Sequence, residues 1–259
     1  MPVLIEPPLA DAPDMVSGLI RCVEASGVPV LVGHRRRYSP IIDEARRIIR
    51  DGRLGRLVSV MGSATFARPA SDFQAAPWRR QKEGGPILSE LADEIDTLRV
   101  LAGEIVDVQA IASHAVRGFD VEDTVAISLR FASGALGTFM LSDCAAGPFN
   151  WTQASGESVG HAQAPGANCY VLSGTRGTLS LPGLRLLTHP GAPSWRSPLV
   201  EATLMRAEAD PLRRQLDHFC RVVRRTSAPL CTVQDAARTL AGVLAVARAA
   251  ETGERVVLA

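Results

Sequence analysis

The first 35 residues form a strand–helix–strand pattern, and this one unit restricts the fold more than any other feature of the sequence. Residues 3–5 and 28–32 are short apolar runs typical of buried parallel strands. The amphipathic segment between them begins near Asp11 and ends at Gly27. A lone βαβ unit cannot bury both of its faces. It must therefore extend a larger sheet or pack on another part of the protein.

The following 150 residues or so combine helices with several strands. Ser39-Pro40 supplies an N-cap and a first-turn proline for a helix that closes at Gly52. A second, longer helix is predicted over 87–102, after the turn Gly84-Gly85-Pro86. Strands are predicted near 56–67, 105–115, 123–132, 135–144, 168–173 and 177–181. Short hairpin-like connections indicate a mainly antiparallel sheet.

The C-terminal part contains two amphipathic helices. One opens at Asp210-Pro211 and carries an apolar stripe, and the other opens at Thr232. The stripe consists of Leu212, Leu216, Phe219 and Val223. Residues 145–167 form the longest predicted loop, and loops of this length are often functional.

Charge and cysteine content exclude several classes of protein. The 28 basic and 27 acidic residues give a net charge of +1, so we expect neither nucleic acid nor a membrane surface as a partner. The five cysteines include no C-x-x-C pair, which argues against a disulfide framework and a zinc site, and no metal is expected. No secretory signal and no 18-residue apolar run is found. A cytoplasmic location is the expectation.

Several motifs in a fixed order resemble the Gfo/Idh/MocA oxidoreductases. The motifs are Glu6-Pro7-Pro8, Gly33-His34-Arg35-Arg36-Arg37-Tyr38, Gly52-Arg53-Leu54-Gly55, Trp78-Arg79, Gly84-Gly85-Pro86 with a helix to Asp96, Val121-Glu122-Asp123, residues 131–137 and residues 174–178. The resemblance covers nearly the whole chain. Their combination is far more specific than any single motif.

The resemblance implies an α/β (α+β) fold in two parts. Residues 1–35 correspond to a remnant of the Rossmann domain, which binds NAD or NADP in the family. Residues 36–259 correspond to the C-terminal substrate-binding and oligomerisation domain, with a mainly antiparallel open sheet and flanking helices. The family acts on sugars, cyclitols and related hydroxylated rings. Its members associate through the sheet, which implies a homodimer or homotetramer.

The pattern of residues 105–144 also favours association through the sheet. Val125 and Ile127 alternate with Ala126 and Ser128, so neither face of this strand is strongly polar. A sheet with helices on one side only would then expose more apolar surface than a monomer usually does.

This chain differs from the family pattern at three places. It contains no G-x-G-x-x-G, the turn whose glycines bring backbone N–H groups to a pyrophosphate. Pro7 stands where the family has the lysine of Glu-Lys-Pro, and Asp93 stands where it has a histidine three residues before an aspartate. We therefore expect no cofactor for this chain alone. Glu6 and His34 are at most vestigial cofactor contacts.

The candidate catalytic residues are Asp93 and Asp96. At about 100° per residue they share one flank of the helix, beside its apolar face, whereas Glu90 and Glu94 lie further round and away from that face. Two carboxylates one turn apart can raise each other's pKa and provide an acid and a base. The alternative is a solvated flank, or structural carboxylates paired with arginine.

The candidate substrate-binding residues carry arginine forks, an aromatic wall and charged groups suited to a hydroxylated or carboxylate ligand. They are Arg37, Tyr38, Trp78, Arg79, Lys82 and Glu90. The alternative places Trp78 in the core, with the arginine run 35–37 solvated on the surface.

Two classes of function remain open from the sequence. In the first, the protein keeps the pocket of an oxidoreductase but has no independent redox activity, and acts as a binding protein or as one part of a split enzyme. In the second, it is a cofactor-independent lyase or isomerase in which Asp93 and Asp96 are the acid/base pair. If the protein is an enzyme, the sequence favours this activity over that of an NAD(P)-dependent dehydrogenase. A further alternative is that Met1 is an internal start within a longer natural chain.

Overall fold

A computed structural model describes residues 1–10, 13–82, 84–158 and 160–258, so Asp11 lies outside the described residues. The helices are α1 (Pro13–Ser26), α2 (Pro40–Arg50), α3 (Ala70–Ala75), α4 (Pro86–Ala102), α5 (Trp151–Ala154), α6 (Pro211–Val223) and α7 (Val233–Thr252). The strands are β1 (Val3–Ile5), β2 (Val30–Val32), β3 (Leu57–Thr65), β4 (Ile105–Ser113), β5 (Thr124–Phe131), β6 (Leu136–Ser142), β7 (Tyr170–Gly174), β8 (Gly177–Leu181), β9 (Arg185–Thr188), β10 (Val200–Thr203) and β11 (Val256–Val257).

The N-terminal unit has the predicted βαβ arrangement. Strands β1 and β2 pair in parallel, with Leu4 opposite Leu31. The apolar residues of this unit, such as Val16 and Val32, form one cluster with Val233 and Leu240 of α7. The unit therefore packs on a C-terminal helix, which provides the cover that a lone βαβ unit needs.

The second sheet has nine strands in the order β10-β9-β8-β7-β3-β6-β5-β4-β11. Only the central pair β3–β6 is parallel, and the other neighbours are antiparallel. The predicted fold class, α/β with a mainly antiparallel sheet and flanking helices, is confirmed. The sequence reading missed β9, β10 and β11, because these are short strands at or near the sheet edges that lack a long apolar run.

Helices α2, α4 and α7 cover one face of this sheet and contribute to its main core. In β5 the inward and outward positions alternate strictly: Val125 and Ile127 are buried, whereas Ala126 and Ser128 are exposed. Ala126 and Ser128 on the open face are small, so the large apolar side chains of this strand all lie on the covered face. Exposed apolar side chains on the open face come instead from Met61, Ile111, Leu136 and Met140.

Helix α6 is oriented differently from its sequence pattern. The polar residues Gln215 and His218 are buried, whereas Leu212 and Leu216 of the apolar stripe are each 48% exposed. The reason is local packing, since His218 lies against the ring of Tyr38 with the ring centres 5.6 Å apart. Three residues of the stripe, Leu212, Leu216 and Val223, are thus largely exposed, and Phe219 is half-buried. In the described part of the chain, no helix meets the length and apolarity needed to span a membrane.

The turn after α2 gives a test of the fold. Gly52 and Gly55 both have positive φ, of 72° and 71°. A Cβ at Gly52 would meet nothing within 4 Å, whereas one at Gly55 would lie 2.4 Å from Thr175 Oγ1. Gly52→Ala should cost about 1–2 kcal/mol from its backbone conformation alone. Gly55→Ala should cost about 1–3 kcal/mol more, because the β7–β8 turn must move. Urea unfolding measures both, and equal losses would contradict this packing.

Candidate functional site

A cleft with a volume of about 860 Å³ lies beside the first half of α4. Five other segments form its walls: residues 6–8 after β1, the 3-10 helix Arg35–Tyr38, the end of β3 with residues 66–69, the loop around α5, and the start of α6. Part of the predicted long loop 145–167 thus lines the cleft.

Asp93 of α4 lines this cleft, and its side chain is 33% exposed. Its Oδ1 lies 3.5 Å from Nδ1 of the buried His34, which has no hydrogen-bond partner among the described residues. Desolvation alone would raise the pKa of Asp93, but the neighbouring His34 and the guanidinium groups of Arg36 and Arg35 lower it. The carboxylate is therefore held in its charged form.

Asp96 does not line the cleft. It is 1% exposed, and Arg37 donates from Nε to Oδ2 at 2.9 Å and from Nη2 to Oδ1 at 2.6 Å. The hydroxyl of Thr239 donates a further bond at 3.2 Å. Asp96 is thus the arginine-paired carboxylate of the alternative interpretation. The expected mutual rise in pKa is wrong for Asp93, because positive neighbours surround it.

Arg37 and Tyr38, predicted to bind substrate, lie behind the cleft. Arg37 joins Asp96 to Asp235 of α7, with its Nη1 2.5 Å from a carboxylate oxygen of Asp235. These contacts hold the pKa of Asp235 well below its usual range, against the effect of its burial. Tyr38 is buried against His218. Both positions therefore serve packing between the N-terminal unit and the helices.

The residues predicted from the loop before α4 also lie outside the cleft. Trp78 is 51% exposed, and the Arg79 guanidinium stacks on its ring at 4.6 Å. Arg79 Nη1 lies 3.8 Å from a Glu90 carboxylate oxygen, at the edge of the cleft wall. Lys82 lines a separate cavity of about 590 Å³ with Glu122. The structure therefore does not bring Lys82 together with Asp93.

Glu90, a predicted substrate contact, and Glu6, predicted to be at most a vestigial cofactor contact, both line the cleft. Glu90 is bonded to Arg68, which also pairs with Asp143 at 3.2 Å and with Asp72 at 3.7 Å. Arg68 was not among the sequence candidates, and the irregular segment that carries it shows no periodicity that would have singled it out.

Arg36 and Glu94 form a buried pair that the sequence did not predict. Arg36 Nη2 donates to Glu94 Oε1 at 2.7 Å, and the Tyr170 hydroxyl donates to the other Glu94 oxygen. The Arg36 guanidinium lies over the Trp151 ring, 5.6 Å from its centre. Glu94 was expected to turn away from the core, but it is 2% exposed because the 3-10 helix and β7 enclose that side of α4.

One group of potential metal ligands lies behind Asp93. His34, Asp96 and Cys231 are buried and place one donor atom each within 4.8 Å of one another. Burial raises the pKa of the Cys231 thiol to about 12. Arg37 already donates to both oxygens of Asp96, and its positive charge opposes a cation there. This donor set does not fit a resident metal.

The comparison with known proteins places this fold in a family. Residues 42–180, more than half of the chain, match the family model described as the GFO/IDH/MocA C-terminal domain. The chain therefore belongs to the Gfo/Idh/MocA oxidoreductase family, as its motifs suggested.

Individual relatives show how much of a family member this chain covers. It is 28% identical to the levoglucosan dehydrogenase of Pseudarthrobacter phenanthrenivorans over 52% of this chain and 42% of that protein. It is also 28% identical to the 1,5-anhydro-D-fructose reductase of Ensifer adhaerens, over 97% of this chain and 71% of that protein. The chain thus spans less than half the length of the first relative.

The solved structures show the same fold. The WlbA dehydrogenase from Bordetella pertussis, in complex with NADH and UDP-GlcNAcA, superposes with a TM-score of 0.75 at 22% identity. The match covers 100% of this chain and 72% of that chain.

The arginine network behind the cleft gives a test of its stability. Arg37→Ala leaves the buried carboxylate of Asp96 without its countercharge and should cost about 3–5 kcal/mol of unfolding free energy. Arg37→Lys, which keeps the charge but loses the fork, should cost less. Arg130→Ala is the control, because Arg130 is 52% exposed in its pair with Asp107. Chemical denaturation measures all three variants. Equal stability of the Arg37→Ala and Arg130→Ala proteins would contradict the structural role.

Proposed function

We propose that this chain supplies a pocket for a hydroxylated ring, such as a sugar or cyclitol, and is not by itself a self-sufficient dehydrogenase. The observation that carries the proposal is Asp93, a charged carboxylate at the wall of the cleft beside α4, at the position where the family pattern has a histidine. A carboxylate accepts hydrogen bonds from two ring hydroxyls. With a lowered pKa it is a poor base for removing a hydroxyl proton.

The relatives support the ligand class. Levoglucosan dehydrogenase and 1,5-anhydro-D-fructose reductase are named for cyclic sugar derivatives. The similarity to the second covers 97% of this chain. The ligand proposed for this chain is of the same general kind, a ring with several hydroxyl groups.

The residues near β1 and β2 do not fit a dinucleotide. The segment after β1 contains Pro7 and Pro8, and neither has a backbone N–H to offer a phosphate. Strand β2 leads into a 3-10 helix of four residues rather than a long helix with a strong N-terminal dipole. No step of the proposed function therefore passes through NAD or NADP.

A second candidate is a role as one subunit or segment of a split oxidoreductase. It is favoured by the outward stripe of α6, where Leu212, Leu216 and Val223 are 48%, 48% and 43% exposed. Leu212 also lines the cleft, so a polypeptide that covered this stripe would adjoin the bound ligand. The lyase or isomerase alternative has less support, because Arg37 withholds Asp96 from the cleft.

Ligand binding tests the main proposal. Calorimetric titration with methyl α-D-glucopyranoside or myo-inositol should show saturable binding, and NAD or NADP should bind no tighter than millimolar. Asp93→Asn should weaken ring binding about 10- to 100-fold, as expected for a lost hydrogen bond to a charged group. Because the pKa of Asp93 is lowered, the wild-type affinity should stay level from pH 8 to pH 5.

Glu24→Gln is the matched control, because Glu24 is exposed and pairs with Gln234 instead of lining the cleft. Micromolar affinity for either dinucleotide would overturn the claim about redox activity. Absence of binding by every hydroxylated ring tested would overturn the pocket.

We also propose that the chain forms a homodimer or homotetramer through the open face of the nine-stranded sheet. Met61, Leu136 and Met140 are 55%, 58% and 42% exposed there. They lie on β3 and β6, and β6 pairs with β3 and β5 without a shift in register. Association would remove this apolar surface from water.

Sedimentation velocity tests the assembly. The wild-type protein should sediment as a dimer or tetramer, and Met140→Arg should shift it towards the monomer by placing a charge inside the interface. Trp195→Arg is the control, because Trp195 is 95% exposed in the β9–β10 connection, outside the sheet. A wild-type monomer of 27.6 kDa at micromolar concentration would refute the proposal.

A further inference from the structure

Two residues of the cleft wall carry buried polar atoms without a partner. Among the described residues, Gln215 Oε1 and the Nε and Nη1 atoms of Arg36 are buried and lack a hydrogen-bond partner. Both residues line the cleft, and their exposed fractions are 1% and 9%. Native proteins leave few buried polar atoms unsatisfied, and an exception of this kind calls for a ligand or an ordered water.

The surroundings of Gln215 indicate a built site. Helix α6 turns its polar side inward at this point, although its apolar stripe then faces solvent. Gly33 makes room for the amide, because a Cβ there would lie only 2.8 Å from Gln215 Nε2. The carboxamide thus lies against Gly33 at the cleft, and its acceptor oxygen has no partner among the described residues.

The guanidinium of Arg36 is held by two contacts. Glu94 takes only its Nη2 group, and the Trp151 ring supports the guanidinium plane. The remaining N–H groups can donate to an oxygen of a ligand, whereas Gln215 Oε1 can accept. A hydroxyl both donates and accepts, so a ring with several hydroxyls can satisfy both residues.

The charge of the cleft works against an anion. Its lining includes five carboxylates and three arginines among the described residues. Arg68 is engaged by Glu90, Asp72 and Asp143. Arg36 is neutralised by Glu94, which leaves Arg35 against the carboxylates of Asp93 and Glu6. A carboxylate on the ligand would lie near the negative charge of Asp93, and at low effective dielectric the two charges would repel strongly.

We infer that the cleft selects a neutral hydroxylated ring over a sugar acid, with Gln215 and Arg36 as the hydroxyl-binding residues and Asp93 as the group that excludes anions. The inference rests on the proposed function and narrows its ligand to the uncharged members of the class.

A matched pair of ligands tests this selectivity. Methyl α-D-glucopyranoside and methyl α-D-glucopyranosiduronate differ only in a hydroxymethyl group against a carboxylate. The neutral glycoside should bind at least about tenfold more tightly at pH 7, measured by calorimetry or by ligand-observed NMR. Asp93→Asn should reduce this ratio severalfold, and a ratio taken within one variant is insensitive to a general loss of affinity.

Gln215→Met keeps the side-chain volume but removes the amide, and should weaken binding of the neutral glycoside about tenfold, the value of one or two neutral hydrogen bonds. Gln234→Leu is the control, because Gln234 is exposed on α7 and its side chain donates to Glu24, which does not line the cleft. Gln215→Leu, which also lacks the acceptor oxygen, is measured beside Gln215→Met, and thermal unfolding of each variant verifies that it folds.

The outcomes separate the two claims. Equal affinity for the two glycosides, or an unchanged ratio in the Asp93→Asn protein, overturns the selectivity while the pocket stands. Unchanged binding in both Gln215 variants overturns the role of Gln215. Absence of binding by both glycosides overturns the inference, and absence of binding by myo-inositol as well overturns the pocket itself.

Discussion

The contact between Arg37 and the carboxylates of Asp96 and Asp235 is the interaction on which the site depends. Arg37 follows β2 in the 3-10 helix, Asp96 lies on α4 and Asp235 on α7, so one guanidinium links three elements. Arg99 extends the network, because it also bonds Asp235 and the Thr239 hydroxyl. A buried charge without its partner is costly, so these elements must assemble together.

This network also determines which carboxylate faces the cleft. Asp96 is drawn towards the interior by Arg37, and Asp93, one turn earlier on α4, is left at the cleft wall. His34 and Arg36 come from the same short segment as Arg37 and surround Asp93 with positive or polar groups. A segment of five residues therefore supports the helix on one side and forms the cleft on the other.

The features that the sequence predicts well depend on short-range chemistry. The Ser39 hydroxyl accepts from the Ile41 and Ile42 amides at the start of α2, as a serine before proline indicates. The place of Asp93 at the cleft followed from a resemblance in motif order. By contrast, the role of Asp96 depends on a partner that lies 59 residues earlier in the sequence, and no local pattern specifies it.

The orientations predicted for Glu94 and for the apolar stripe of α6 are both wrong, and the physical cause is the same. A helical projection with one apolar face places Glu94 outside, but α4 is enclosed on several sides, and Arg36 and Tyr170 make burial of this carboxylate acceptable. The stripe of α6 suggests an inward apolar face, yet the helix is held by Gln215 and His218. Periodicity reports which residues are similar, and tertiary contacts decide which of them face inward.

The position of β3 in the sheet has a consequence for the order in which the protein acquires its structure. This strand is the first of the nine in the chain, but it lies near the middle of the sheet between β6 and β7. Its Gly62 pairs with Phe139 and Tyr170, which come much later in the sequence. Contacts so distant in sequence close slowly. The cleft takes a wall from the end of β3 and another from the loop after β6. During synthesis a ribosome must therefore release most of the polypeptide before the cleft can exist, and the apolar side of β3 stays open to chaperones until then.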